Sequence, residues 1–289
     1  MALPASLGKV AARRPSLCAD ALVFFSKDGK KRHGFCTWCL PWQFAGRTFH
    51  LQGKTYCYVF YVSPEGYLLN FHILDNEHSP IDAETSAELI RAAEPAGLTL
   101  FCRVREISRS SVLKLLDVGA QGLIVPNVKT AEEVKNLVKW AKYAPIGERG
   151  FCPSRKDGFG WRLKLSVAET MAHFNREVLL IPQCETAEAL AQIEEIAALP
   201  GVDGIFIGPF DLSISMGMAG DFENPVFQEA LERIVTATHR AGKFTILFAG
   251  TEQKAREAYA LGNDSVAYSL DLDHYIQALQ KAVRALKES

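Results

Sequence analysis

Val178-Leu-Leu-Ile-Pro-Gln183, Ala187-Glu-Ala-Leu-Ala-Gln-Ile-Glu-Glu-Ile-Ala-Ala-Leu199 and Val202-Asp-Gly-Ile-Phe-Ile-Gly208 follow one another along one stretch of the chain. The first and third are short, nearly continuous apolar runs, the pattern of strands buried on both faces. The middle run repeats apolar residues at a three-to-four spacing, as a one-sided helix does. Two parallel strands need such a crossover between them, since a tight hairpin joins only antiparallel ones. One β/α/β unit is legible here on its own terms.

The same alternation extends in both directions. Strand-like runs occur at Leu68–Asp75, Leu98–Val104, Gly122–Pro126, Lys243–Phe248 and Asp264–Ser269. Helix-like stretches fill 83–96, 108–119, 130–142, 186–198, 225–241, 251–261 and 271–287. Thr130 and Thr251 stand where helix caps are expected, and Gly119, Gly201, Gly242 and Gly262 where helices must stop. Seven strands alternating with seven helices predict a parallel α/β sheet; one more strand from the N-terminal region completes a (β/α)8 TIM barrel. The competing architecture, a doubly wound open sheet, calls for a glycine-rich loop after an early strand, and none is present.

Composition supports one large domain at 67–289, preceded by a different segment at 1–66. The chain has 289 residues, is 48% hydrophobic and carries a formal charge of −1, so no overall field recruits nucleic acid or an anionic membrane. Residues 1–62 hold nine Lys/Arg against Asp20 and Asp28, a surplus of seven positive charges; the remainder therefore carries −8. Four of seven cysteines (Cys18, Cys36, Cys39, Cys57) also fall there. Three readings of this segment stand open. His33, Cys36 and Cys39 with Cys18, Cys57 or His50 form a zinc site; residues 1–19 are a transit peptide; or a divergent N-terminus replaces the usual first β/α unit. An odd number of irregularly spaced cysteines predicts reduced thiols and a cytoplasmic location, and no apolar run is long enough to span a bilayer.

Barrel active sites collect at the carboxyl ends of strands. Those positions carry Asp75-Asn-Glu-His78, Arg103, Gln183-Cys-Glu185 and Gly208-Pro-Phe-Asp211. An isolated acid at a strand end commonly caps a helix, but four strand ends bearing Asp/His, Arg, Glu and Asp can converge on one mouth. His78 precedes Arg103 by 25 residues and Glu185 precedes Asp211 by 26, each about one β/α unit, so each pair lies on neighbouring strands. Two carboxylates with waters suit a hard cation such as Mg²⁺ or Mn²⁺. An arginine is the natural fork for a substrate carboxylate, and a histidine a proton carrier near neutrality. Together they describe enolate chemistry on a 2-oxo acid. Arg105 competes with Arg103 for the clamp role. The loop Gly150–Gly160, rich in glycine and aromatics, is either near the mouth or a surface connection.

At these residues the sequence resembles the HpcH/HpaI aldolase family, the class II pyruvate-dependent aldolases. The matching text is Ile73-Leu-Asp-Asn-Glu-His78, Arg103-Val, Leu116-Asp-Val-Gly-Ala-Gln-Gly-Leu-Ile-Val-Pro126, Gly147-Glu-Arg-Gly150, Gln183-Cys-Glu-Thr186 and Pro200-Gly-Val-Asp-Gly-Ile-Phe-Ile-Gly-Pro-Phe-Asp-Leu-Ser213. The resemblance covers about residues 67–287. It implies Glu185 and Asp211 as metal ligands, with Mg²⁺ or Mn²⁺ expected and Co²⁺ or Zn²⁺ as further candidates. It implies Arg103 as the carboxylate clamp and His78 as general base oriented by Asp75. Gln183, Gly208 and Phe210 would contact the substrate. A homohexamer exchanging C-terminal helices is also implied. The expected reaction is reversible cleavage of a 4-hydroxy-2-oxo acid to pyruvate and an aldehyde; the alternatives are an acyl-coenzyme A lyase of the citrate-lyase-β type and an inactive relative. The departure from the family lies before residue 67, where no convincing first helix is found.

Overall fold

The computed structural model describes residues 34–39, 49–51, 54–56, 71–94 and 98–287. Its first strand, β1, is Gly34–Cys39; Phe49–Leu51 (β2) and Lys54–Tyr56 (β3) pair with each other as a short antiparallel ribbon. From Phe71 the alternation predicted from sequence is present. It runs β4 (Phe71–Asp75), α1 (Ala83–Ala93), β5 (Thr99–Arg103), α2 (Arg109–Asp117), β6 (Gly122–Val125) and α3 (Ala131–Ala141). The helix α4 (Val167–Glu177) comes next, then β7 (Leu179–Cys184), the short α5 (Ala187–Ala191) and α6 (Ile193–Ala198), β8 (Gly204–Ile207) and α7 (Pro209–Ser215). The chain ends with α8 (Pro225–Arg240), β9 (Phe244–Ala249), α9 (Glu252–Ala260), β10 (Ser265–Leu270) and α10 (Asp271–Lys287).

The seven strands β4 to β10 pair in parallel in chain order, forming a curled α/β sheet. Of the N-terminal strands, Gly34–Cys39 pairs in parallel with both β4 and β10, whereas Lys54–Tyr56 belongs to the antiparallel ribbon. The transit-peptide reading of 1–19 and the zinc reading, with Cys18, His33 and Cys57 and the side chains of Cys36, Cys39 and His50, lie outside the described residues. Among the described residues no helix is long and apolar enough to cross a membrane, and Cys102, Cys152 and Cys184 are unpaired thiols.

Two buried layers follow from the strand period of two. Phe71, Ile73, Phe101, Ile124, Ile181 and Phe206 belong to one cluster, inside the curl of the sheet. Their neighbours Leu74, Cys102, Leu123, Val125, Leu180 and Ile205 pack outward against the helices. Gly122 and Gly204 sit on the inner face because bulky neighbours need the room: a Cβ would stand 2.6 Å from the Phe101 ring and 2.3 Å from that of Phe244.

The Gly147–Gly150 motif is structural. A Cβ at Gly147 would lie 2.3 Å from the Lys142 carbonyl oxygen, and Arg149 reaches Asp117 at the end of α2 with 2.7 Å between Nη2 and Oδ1. Beyond it, Arg155 donates to the Val118 carbonyl (2.9 Å) and to Glu94, so the Gly150–Gly160 loop is anchored to the C-terminal ends of α1 and α2. Those ends adjoin the starts of strands, away from the carboxyl ends where the site residues stand. Within this chain the loop is a connection, not a wall of the mouth.

Candidate active site

The inner column of each strand, continued by two residues, leads into the site. Phe71 and Ile73 are followed by Asp75; Phe101 by Arg103; Leu179 and Ile181 by Gln183; Phe206 by Gly208; Ile246 by Phe248. The apolar interior thus ends at the carboxyl rim in a layer of polar groups, because the same alternation that packs the core aims these side chains inward. Asp75, His78, Arg103, Gln183, Phe210 and Asp211 line one cavity of about 250 Å³. The structure brings together the residues singled out from sequence, with Glu185 against Gln183 at its edge. Arg105, the competing clamp, is exposed on the outer surface beside Asp82 and Ser110.

Arg103 is buried and held rigidly. Its Nε donates to Asp75 Oδ1 at 2.9 Å and its Nη2 to Asp75 Oδ2 at 2.5 Å, a two-point clamp on one edge. Its Nη1 lies 3.0 Å from Glu77 Oε2. Asp75 Oδ1 also accepts from the backbone N–H of Glu77 (3.0 Å) and of His78 (3.3 Å). Asp75 therefore grips Arg103 and fixes the backbone of the His78 turn; these contacts do not run to the imidazole, as the sequence reading expected. The His78 side chain is 67% exposed, with Nε2 3.7 Å from Glu77 Oε2.

Across the mouth, Glu185 Oε1 accepts from the backbone N–H of Asn127 at 2.5 Å, and Gln183 Nε2 donates to Glu185 Oε2. Burial, with Asp211 and Glu77 nearby, pushes the Glu185 carboxyl up to about 7, against the lowering influence of the Asn127 N–H and Arg103. Glu77 is likewise raised, chiefly by burial. A set of acids held together against their charge fits a cation, which would relieve both burial and repulsion. Among the described residues no group of three or more His, Cys, Asp or Glu is placed to hold a metal, so the fit rests on the Glu185–Asp211 pair with water. Gln183 Oε1 is buried without a hydrogen-bond partner beside Glu185, an acceptor that a bound donor would satisfy.

Gly208 is required by space. A Cβ there would stand 2.8 Å from Gln183 Nε2 and 2.9 Å from Glu185 Oε2, displacing both. Pro209 then opens α7, whose first turn carries Asp211 and the half-exposed Phe210. Cys184, between Gln183 and Glu185, packs outward among the helices, as alternation predicts. Sequence reasoning missed Glu77 and Asn127. Glu77 sat inside the quoted motif, but only the turn built by Asp75 aims it at Arg103. Asn127 acts through its backbone, in a left-handed conformation (φ 58°) that no side-chain pattern announces.

A family model described as HpcH/HpaI aldolase/citrate lyase matches residues 70–278. A hydroxypyruvate/pyruvate aldolase of Pseudomonas aeruginosa is 34% identical over 215 residues, covering 74% of this chain and 79% of that one. A 2-keto-3-deoxy-L-rhamnonate aldolase of Klebsiella pneumoniae is 33% identical over 215 residues, with the same coverage of each. Among solved structures, an HpcH/HpaI aldolase/citrate lyase family protein from Burkholderia cenocepacia superposes with a TM-score of 0.76 at 27% identity, over 94% of this chain and 99% of that one.

Proposed function

Because the chain belongs to the HpcH/HpaI aldolase/citrate lyase family and is a carbon–carbon lyase of the aldolase type, we propose that it reversibly cleaves a 4-hydroxy-2-oxo acid to pyruvate and an aldehyde. The observation that carries this reading is the convergence of Arg103, His78, Gln183 and Asp211 on one cavity. Glu185 and Asp211 would hold a divalent cation, Mg²⁺ or Mn²⁺ by the hardness of their oxygens, with Co²⁺ or Zn²⁺ as further candidates. When bound, the cation supplies Lewis acidity at the 2-oxo group.

The chain's own residues do the rest. Arg103, locked by Asp75, turns the edge that meets Glu77 to the substrate carboxylate. Gln183 and the backbone at Gly208 border the 2-oxo end, and Phe210 the other. His78 takes the proton of the 4-hydroxyl; the C3–C4 bond breaks, its electron pair passes into the enolate, and the aldehyde departs. His78 returns that proton to C3 to give pyruvate, and the reverse order, in which His78 first draws a methyl proton, joins the two.

Support for the wider assembly is separate. We read Gly34–Cys39 as the strand completing a (β/α)8 barrel, a role its parallel pairing with β4 and β10 supports. We read residues 67–289 as that barrel domain, and the oligomer as a hexamer; the exposed apolar residues of α10 support an assembly. The unpaired thiols support a reducing, cytoplasmic setting.

The test is exchange of pyruvate methyl protons with deuterated water, followed by NMR with and without Mn²⁺ or Mg²⁺. The expected result is metal-dependent exchange that falls by about 10²-fold or more in His78→Ala. No exchange from a folded, metal-loaded protein would overturn the pyruvate reading in favour of the acyl-coenzyme A lyase or the inactive relative.

A further inference from the structure

A second cavity of about 250 Å³ adjoins the first and shares Pro209, Phe210 and Phe248 with it. It runs away from the carboxylates, between α8 and α9, and its walls are carbon: Phe222, Phe227, Leu231, Leu247 and Ala258. The Phe210 ring forms the partition, edge-on to Phe222 (centroids 5.1 Å apart, planes at 88°) and 6.1 Å from Phe248. Phe227 backs Phe222 at 5.7 Å. Rings in these tilted and edge-on arrangements support one another as a preformed apolar surface.

The polar groups of this cavity are committed elsewhere. Lys254 Nζ lies 2.6 Å from Glu223 Oε1 and 2.8 Å from Glu257 Oε2, so the cation is paired twice and the three charges sum to −1. Gln228 donates its amide N–H to the Phe222 carbonyl at 2.6 Å. A carboxylate entering here would meet a net negative rim. A polyhydroxylated chain would leave hydroxyls unpaired against phenyl rings, which pockets of this kind reject.

We infer that the aromatic cavity receives the substituent of the aldehyde partner, and that the partner is an aldehyde bearing an aryl or branched alkyl group rather than a carboxylated or polyhydroxylated one. The inference rests on the pyruvate-enolate reading above and adds its substrate class. The aldehyde carbon sits on the His78 side of Phe210, where C–C bond formation turns its oxygen into the protonated 4-hydroxyl. The substituent passes the Phe210 edge into the second cavity.

The test uses the full chain loaded with Mn²⁺, pyruvate as donor, and benzaldehyde, glyceraldehyde and succinic semialdehyde as acceptors. The variants are Phe222→Ser, which makes the wall polar, and Ala258→Leu, which fills the cavity. The expected kcat/KM for benzaldehyde exceeds that for the other two by about tenfold or more, the scale on which an apolar pocket discriminates. Each variant should lower the benzaldehyde value at least fivefold and leave pyruvate methyl exchange within twofold of the parent. Preference for the hydroxylated or carboxylated acceptor, or a parallel loss on every acceptor and in exchange, would overturn the inference. If exchange is absent altogether, ligand-detected NMR of benzyl alcohol separates the two readings. Binding weakened by Phe222→Ser would keep the cavity's assignment and reject only the pyruvate chemistry, whereas no binding would reject both.

Discussion

Asp75 shows how much one residue can organise. Its two oxygens clamp Arg103 and its Oδ1 also ties down the Glu77 and His78 amides, so the Arg103 guanidinium and the His78 turn are positioned from a single carboxylate. The residue types and their strand-end positions were legible in the sequence; which atom of Asp75 meets which partner was not, because that depends on the turn after β4. His72, three residues earlier, points the other way and is buried, and burial pushes its imidazole down to about 4 from an unfolded value of 6.5. The native chain therefore binds this proton less readily than the unfolded chain does. The associated stability is complete above about pH 6.5 and is lost as pH falls toward 4, by on the order of 3 kcal/mol. Urea unfolding of the parent and of His72→Leu between pH 4 and 7 checks this: the variant should show the flatter profile, and equal slopes would reject the assignment.

At the scale of elements, strands were read well and two helices were missed. The apolar runs of β4 to β10 carry their own signal, whereas α4, which buries only Thr170, was passed over although its apolar residues gather on one face as strongly as those of α1. Its start was nonetheless written in the chain: Ser166 accepts from the Glu169 N–H while Glu169 reaches back to Ser166, a capping box. Ser166→Ala should cost about 1 kcal/mol in chemical denaturation; an unchanged midpoint would show that α4 is held by its connections alone. The other missed helix, α7, is seven residues opened by Pro209, too short for periodicity to register. The stretch read as one helix at 186–198 is two, because the backbone at Gln192 leaves helical geometry and its side chain accepts from the Ala131 N–H at the start of α3. A distant partner decided that break.

For the whole molecule, α10 is the element without a place in the core. None of its residues is buried, and Ile276, Leu279, Val283 and Leu286 form an exposed apolar stripe at three-to-four spacing. Self-association through this stripe should give a solution mass that is a multiple of 31.9 kDa, reduced to one chain by the double change Leu279→Glu and Val283→Glu. Light scattering after size exclusion reads both, and a parent of single-chain mass would reject the assembly. The alternation of strands and helices, the inward period of two and the chemical identities at the strand ends were legible in the chain, because these depend on neighbours a few residues apart. It took the folded molecule to reveal that Asp75 grips Arg103 and the His78 backbone, that Glu77 and the Asn127 backbone join the site, and that an aromatic cavity opens behind Phe210. Each of these is a contact between segments brought together by packing, and no local pattern encodes the distance between them.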